Sequence, residues 1–185
     1  MKIAIIGLGY VGLPLSLQFA RSGVEVVGLD VDQSKVDALN AKQSFIKHIA
    51  SADIAEAVDN GAFRASTNFA KIREVDAVVI CVPTPLSQHR EPDISYVLKS
   101  GEAMAAYLQK GTLVVLESTT YPGTTEGPLR EVIEGGSGLV AGVDFYLAYS
   151  PEREDPGRTD HSVASIPKVV GGLPKEGCRT LRESC

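Results

Sequence analysis

Gly7, Gly9 and Gly12 follow one another at the spacing Gly-x-Gly-x-x-Gly, and a carboxylate, Asp30, comes about 20 residues later. Each of these residues has a chemical use. Gly7 allows a sharp turn, Gly9 leaves out a side chain where backbone must approach a phosphate, and Gly12 lets a following helix pack close to a sheet. The free N–H groups at the start of that helix then face the phosphates. A carboxylate at position 30 can accept hydrogen bonds from both hydroxyls of a ribose and repels a 2′-phosphate on it. The set suits a dinucleotide, and NAD rather than NADP, although Lys35 is a nearby cation that softens this preference. The same glycines also occur in strand-to-helix turns that bind nothing, so it is Asp30 that weighs for a nucleotide.

Other polar stretches have the same rigid character. Pro83-Thr84-Pro85 is held extended, because each proline fixes its own φ and restricts the residue before it. Glu117-Ser-Thr119 leads into Pro122-Gly123, a second such turn. On position alone, Thr84 and Thr119 fit a rigid loop as well as a ligand contact. Glu152, after Pro151, fits a capping role or a pairing with Arg153 as well as a chemical one. His48, His89 and His161 are scattered, and none has a Cys or His neighbour at ligand spacing, so no metal is expected.

Strands and helices must position these groups. Residues 2–6 read as a strand, 11–21 as a helix and 24–29 as a second strand that ends at Asp30. Helices are expected at 34–41 and at 51–60, the latter capped by Ser51, then a strand at 63–67 and a brief helix at 68–71 capped by Asn68. Residues 76–82 and 112–116 are continuous apolar runs, the mark of strands buried on both faces of a parallel sheet, and a helix over 94–109 separates them. A helix over 124–133, a flexible break at 135–138 and a strand at 145–149 complete the order. The alternation predicts an α/β fold of Rossmann type with about six strands, a doubly wound, mostly parallel sheet with helices on both faces. The strand ends at 7–12, 83–85 and 118–123 then converge on one crevice.

Composition narrows the functional classes. The chain has 185 residues, 44% of them hydrophobic and 22% charged, which suits one folded domain and argues against disorder. No apolar run reaches about 18 residues, so no membrane partner is expected. A net charge of −5 argues against nucleic acid as a partner. The first apolar run breaks at the glycine turn, unlike a signal peptide, and three cysteines fit a reducing compartment, so a cytoplasmic location is expected. Cys81, inside an apolar run, reads as a small buried hydrophobe.

Gly7-Leu-Gly-Tyr-Val-Gly-Leu-Pro14, Cys81-Val-Pro-Thr-Pro85, Glu117-Ser-Thr119, Pro122-Gly123 and Tyr149-Ser-Pro-Glu-Arg153, in that order, resemble the amino-terminal NAD-binding domain of the UDP-glucose/GDP-mannose dehydrogenase family. The resemblance spans residues 1–172. Ser-Pro-Glu-Arg153 with Pro156-Gly157, and then Ile166-Pro-Lys-Val-Val-Gly-Gly172, is most similar to the branch that oxidises UDP-N-acetylhexosamines, such as UDP-N-acetylglucosamine 6-dehydrogenase. The resemblance implies oxidation of a nucleotide sugar at its C6 alcohol to a carboxylate, with two NAD used in succession and a homo-oligomer at full length. It places Tyr10 and Val11 with the glycines on the pyrophosphate turn, Asp30 on the adenosine ribose with Lys35 near it, and Thr84 and Thr119 along the nicotinamide half. Glu152 is implied as the catalytic residue that works with a water or at the thioester step.

In that family a cysteine traps the aldehyde as a thiohemiacetal and then a thioester, and it sits in a Gly-Gly-x-Cys-x-Pro motif of a second domain. These 185 residues contain no such motif, and Cys178 and Cys185 lack its glycine-rich surroundings. Residues 1–172 are therefore expected to be the NAD-binding domain and 173–185 an atypical, truncated or disordered tail. The chain alone is expected to bind NAD without completing the oxidation. The alternative is a non-catalytic NAD-binding or regulatory module.

Overall fold

The computed structural model describes residues 1–86, 92–151 and 170–173. β1 (Lys2–Ile6) turns at Gly7 into α1 (Gly12–Arg21), and β2 (Glu25–Leu29) follows. Next come α2 (Gln33–Asn40), α3 (Ser51–Asp59), β3 (Phe63–Ser66) and a 3-10 helix, Phe69–Glu74. β4 (Ala77–Ile80), α4 (Ser95–Ala105) and β5 (Leu113–Leu116) form the second winding. A π turn, Thr125–Leu129, leads into α5 (Arg130–Ser137), and β6 (Tyr146–Tyr149) and β7 (Gly171–Leu173) complete the described elements.

The sheet runs β3-β2-β1-β4-β5-β6-β7. Every neighbouring pair is parallel except β6 with β7, which is antiparallel. Successive side chains on a strand point to opposite faces, and the core divides accordingly. Ile3, Ile5, Val79 and Val115 face α1 and α3, whereas Ala4, Ile6, Val78 and Leu116 face α4 and α5. Because both faces are covered, β4 and β5 consist almost wholly of Val, Ile and Leu. The chain winds outward from β1 to β3, then returns to the other side of β1 as β4. That reversal opens a crevice beyond the carboxyl ends of β1 and β4.

Three expectations need correction. The sheet has a seventh strand, because Gly171–Leu173 pairs with β6 through the register Ala148↔Gly172. The segment expected as a flexible break is the last turn of α5 as far as Ser137, and the helix ends at Gly138 in a left-handed conformation. Its glycines allow close packing: a Cβ on Gly136 would stand 2.7 Å from the Ala105 Cβ of α4. Ser51 is the first residue of α3 rather than its cap, and its hydroxyl accepts the Ser44 N–H at 3.0 Å. The Asn68 cap is observed, with the Ala70 N–H donating to its side chain, although the helix it begins is of 3-10 type.

Pro128 explains the π turn. It has no N–H for the usual bond four residues back, and the next amide, that of Leu129, donates to the Thr124 carbonyl five back at 3.1 Å.

Candidate functional site

The crevice is a cavity of about 740 Å³, and its walls include Gly7, Gly9, Tyr10, Val11, Asp30, Lys35, Thr84 and Thr119. Eight expected site residues from five places in the chain thus share one space. Gly12 stands just behind the wall, and Glu152 lies outside the described residues.

The turn after β1 depends on its glycines. Gly7 has φ +94°, and a Cβ there would stand 2.6 Å from the Cys81 carbonyl oxygen. A Cβ at Gly12 would stand 1.9 Å from the Gly7 carbonyl oxygen, so the start of α1 sits directly on the turn. Gly9 is different, because a Cβ there would meet nothing within 4 Å. Its backbone faces the open cleft, which is the space a pyrophosphate needs beside a helix amino terminus. Leu8, fully buried between these glycines, anchors the turn and packs over Gly28, where a Cβ would come within 2.7 Å of it.

Asp30 ties β2 to that turn. Its Oδ2 accepts the Leu8 N–H at 2.9 Å and its Oδ1 accepts the Asp32 N–H at 3.0 Å. Lys35 Nζ lies 3.5 Å from the same Oδ2. The carboxylate is therefore aimed by backbone donors before any ligand arrives, and Lys35 is its charge partner. Val31, the next residue, is 85% exposed and offers an apolar rim for a flat ring. Tyr10, also in the cavity wall, is exposed, its ring stacked on His48 with centroids 5.9 Å apart.

The loops after β4 and β5 are tied together. The Thr84 hydroxyl donates to the Thr119 carbonyl at 2.6 Å, and the Ser118 hydroxyl donates to the Val82 carbonyl at 2.8 Å. Thr84 spends its one donor on Thr119, so toward a ligand it offers oxygen lone pairs. It would receive a hydroxyl hydrogen rather than give one.

Several wall residues were not singled out from sequence. Tyr96, Lys99 and Ala103 come from one stripe of α4, with Phe69 beside them. Their spacing of three and four residues was a usable signal, overshadowed by the apolar stripe of the same helix. Glu117 also lines the cavity and is buried.

The geometry can be set beside known proteins. The chain matches the family model for the NAD-binding domain of the UDP-glucose/GDP-mannose dehydrogenase family over residues 1–184. It is 38% identical over 176 residues to a UDP-N-acetyl-D-glucosamine 6-dehydrogenase of Pseudomonas aeruginosa, covering 95% of this chain and 41% of that protein. A UDP-N-acetyl-D-mannosamine dehydrogenase of Pyrococcus horikoshii is 37% identical, with 95% and 42% covered. Among solved structures, an NDP-N-acetyl-D-galactosaminuronic acid dehydrogenase from Methanosarcina mazei superposes with a TM-score of 0.91 at 35% identity, over 98% of this chain and 41% of that one. The chain spans about two fifths of the length of the relatives it matches. With the switch-point cleft, the glycine turn and Asp30 in place, the chain belongs to the UDP-glucose/GDP-mannose dehydrogenase family, as its NAD-binding domain.

Proposed function

We propose that this domain holds NAD for the oxidation of a nucleotide sugar, a UDP-N-acetylhexosamine or UDP-glucose, from its C6 alcohol to the carboxylate. The observation that carries the reading is the single cleft in which the glycine turn, Asp30 and the Thr84 and Thr119 loops face one another. NAD, when bound, supplies the hydride acceptor. The chain's own residues bind and orient. Gly7, Gly9 and Gly12 shape the turn on which Tyr10, Val11 and the first N–H groups of α1 meet the pyrophosphate, and Asp30, with Lys35 beside it, takes the hydroxyls of the adenosine ribose. Thr84 and Thr119 line the nicotinamide half. Glu152 is the catalytic residue, acting with a water or at the thioester step.

Residues 1–173, ending on β7, form the NAD-binding unit in this proposal, one residue beyond the expected boundary, with 174–185 apart from it. The nucleophilic cysteine and most groups that hold the sugar belong to a further domain, so these 185 residues bind cofactor without turnover. The working protein is a cytoplasmic homo-oligomer.

Calorimetric titration with NAD and NADP tests the cofactor half of the proposal. NAD should bind more tightly, and Asp30→Ala should weaken it by roughly 10- to 100-fold, the worth of a hydrogen bond to a charged group. Tighter binding of NADP by the unaltered chain would overturn the preference. Steady NADH production from the chain with NAD and UDP-N-acetylglucosamine would refute the absence of turnover.

A further inference from the structure

Lys35 stands where a helix disfavours a cation. It lies in the first turn of α2, where unsatisfied N–H groups already carry a partial positive charge. Asp32 caps that turn, its carboxylate accepting the Ser34 N–H and hydroxyl. Lys35 lines the cavity, with its side chain 37% exposed and its Nζ 3.5 Å from the Asp30 Oδ2. That separation is long for a charge-assisted hydrogen bond, which ordinarily closes to about 2.7–2.9 Å. A lysine ammonium has three donors, and this loose contact engages one of them.

Asp30 does not need the lysine to keep its orientation. The Leu8 N–H at 2.9 Å and the Asp32 N–H at 3.0 Å hold one carboxylate oxygen each, and the residue is 7% exposed. An ionised carboxylate has about four lone-pair sites, of which the two amides and Lys35 take three. The two hydroxyls of a ribose fill the last site and the one that Lys35 holds loosely, which leaves the ammonium beside the 2′ position. The other cation of the cavity wall, Lys99, belongs to α4, whose Val97 and Met104 pack on the opposite face of the sheet from Val36 and Leu39 of α2. Lys35 is thus the cation at the Asp30 end of the cleft.

A 2′-phosphate on that ribose would meet charges of both signs. Asp30 repels it, and Asp32, two residues on, is a second carboxylate of the same loop. The Ser34 hydroxyl gives its proton to Asp32 and has none for a phosphate. Lys35 attracts it and has donors that Asp30 does not use. The balance is negative, which favours NAD, and its margin depends on the lysine. We propose that Lys35 is a specificity-determining residue: idle toward NAD, it is the cation that a 2′-phosphate meets beside Asp30, and it sets how strongly this domain rejects NADP. Discrimination is then a balance between two side chains rather than exclusion by Asp30 alone. The inference rests on the adenosine ribose lying at Asp30.

Calorimetry of the whole chain with NAD and with NADP reads the ratio directly. Lys35→Ala removes a partly exposed side chain in favour of a strong helix former, so the variant should fold. It should keep NAD affinity within about fivefold, the most that a partly exposed ion pair is worth. NADP affinity should fall by roughly 10- to 100-fold, which widens the preference for NAD. Lys35→Arg, whose planar fork suits a phosphate, should narrow it. Asp30→Asn removes the repelling charge and keeps an acceptor, so it should bring NADP closer to NAD by about tenfold or more, and adding Lys35→Ala should cancel that gain. Residual NAD binding reports that Asp30→Asn is folded. An equal loss of NAD and NADP in Lys35→Ala would make the lysine a general binding or structural residue and overturn the inference, as would a ratio that no change at Lys35 moves. Failure of NADP to bind Asp30→Asn while NAD still binds would also overturn it, and the NAD reading would stand. Tighter binding of NADP by the unaltered chain, reversed in Lys35→Ala, would uphold the lysine and overturn the preference for NAD. A chain that binds neither dinucleotide would overturn both.

Discussion

A methyl group added at Gly7 would stand 2.6 Å from the Cys81 carbonyl, on a backbone with φ +94°, and one added at Gly12 would stand 1.9 Å from the Gly7 carbonyl. Neither contact can relax without moving backbone, so Gly7→Ala and Gly12→Ala should each lower the unfolding free energy by about 1–3 kcal/mol or more in urea denaturation. Gly9→Ala should leave stability within about 0.5 kcal/mol, because its methyl meets nothing within 4 Å. That methyl would nevertheless occupy the cleft, and NAD affinity should fall while stability holds. Equal loss of stability for all three variants would show that the turn is a single steric unit with no open position. The roles of the glycines and of Asp30 were legible because backbone geometry depends on residue type at fixed spacing. Leu8 looks like any core leucine, and although Glu117 opens a motif legible in the chain, its burial is set by strands distant in sequence.

Among the elements, α2 shows how a local signal becomes a pH response. Asp32 caps this helix, its carboxylate accepting both the backbone N–H and the hydroxyl of Ser34 at 2.9 and 2.6 Å. These bonds, the hydroxyl first, hold its pKa below the ordinary carboxylate value. A group whose folded pKa is depressed stabilises the fold above its unfolded pKa and loses that contribution as pH falls through the folded value. Asp32→Ala should therefore be less stable than wild type at pH 7, and the difference should shrink by about pH 3, which denaturant titration at the two pH values will check. A difference unchanged at the acid pH would assign the effect to helix propensity instead. Elements with their own chemical signal, such as α1 and β4, were legible in the chain. β7 was not, since Gly171 and Gly172 have no strand propensity and only pairing with β6 makes them a strand. The last turn of α5 likewise contradicts the helix propensity of glycine, because closeness to Ala105 outweighs it.

Across the whole molecule, the cleft is assembled from turns that meet only at the sheet edge, so a ligand in it should bind them together. NAD at 100 times its dissociation constant should add about 2.7 kcal/mol to stability and raise the unfolding temperature. Amide exchange should slow at 7–11, 82–84 and 117–119, while α5, packed on the far side against α4, should gain only the global increment. Protection confined to 7–11 would show that the Thr84 and Thr119 loops do not share the ligand. No helix among the described residues is long and apolar enough to cross a membrane.

The chain by itself determined the class of fold, the order of the first six strands and the position of the phosphate turn. Apolar runs, glycine spacing and a carboxylate at the end of β2 are local features, and local physics reads them without a partner. The tertiary structure decided which residues share the cleft. Asp30 is aimed by the Leu8 amide, Thr84 is turned onto Thr119, and Glu117 is set beside Ser150 by the register of β5 with β6. Those relations join residues far apart in sequence, and only the winding of the sheet about β1 and β4 brings their strand ends to one edge.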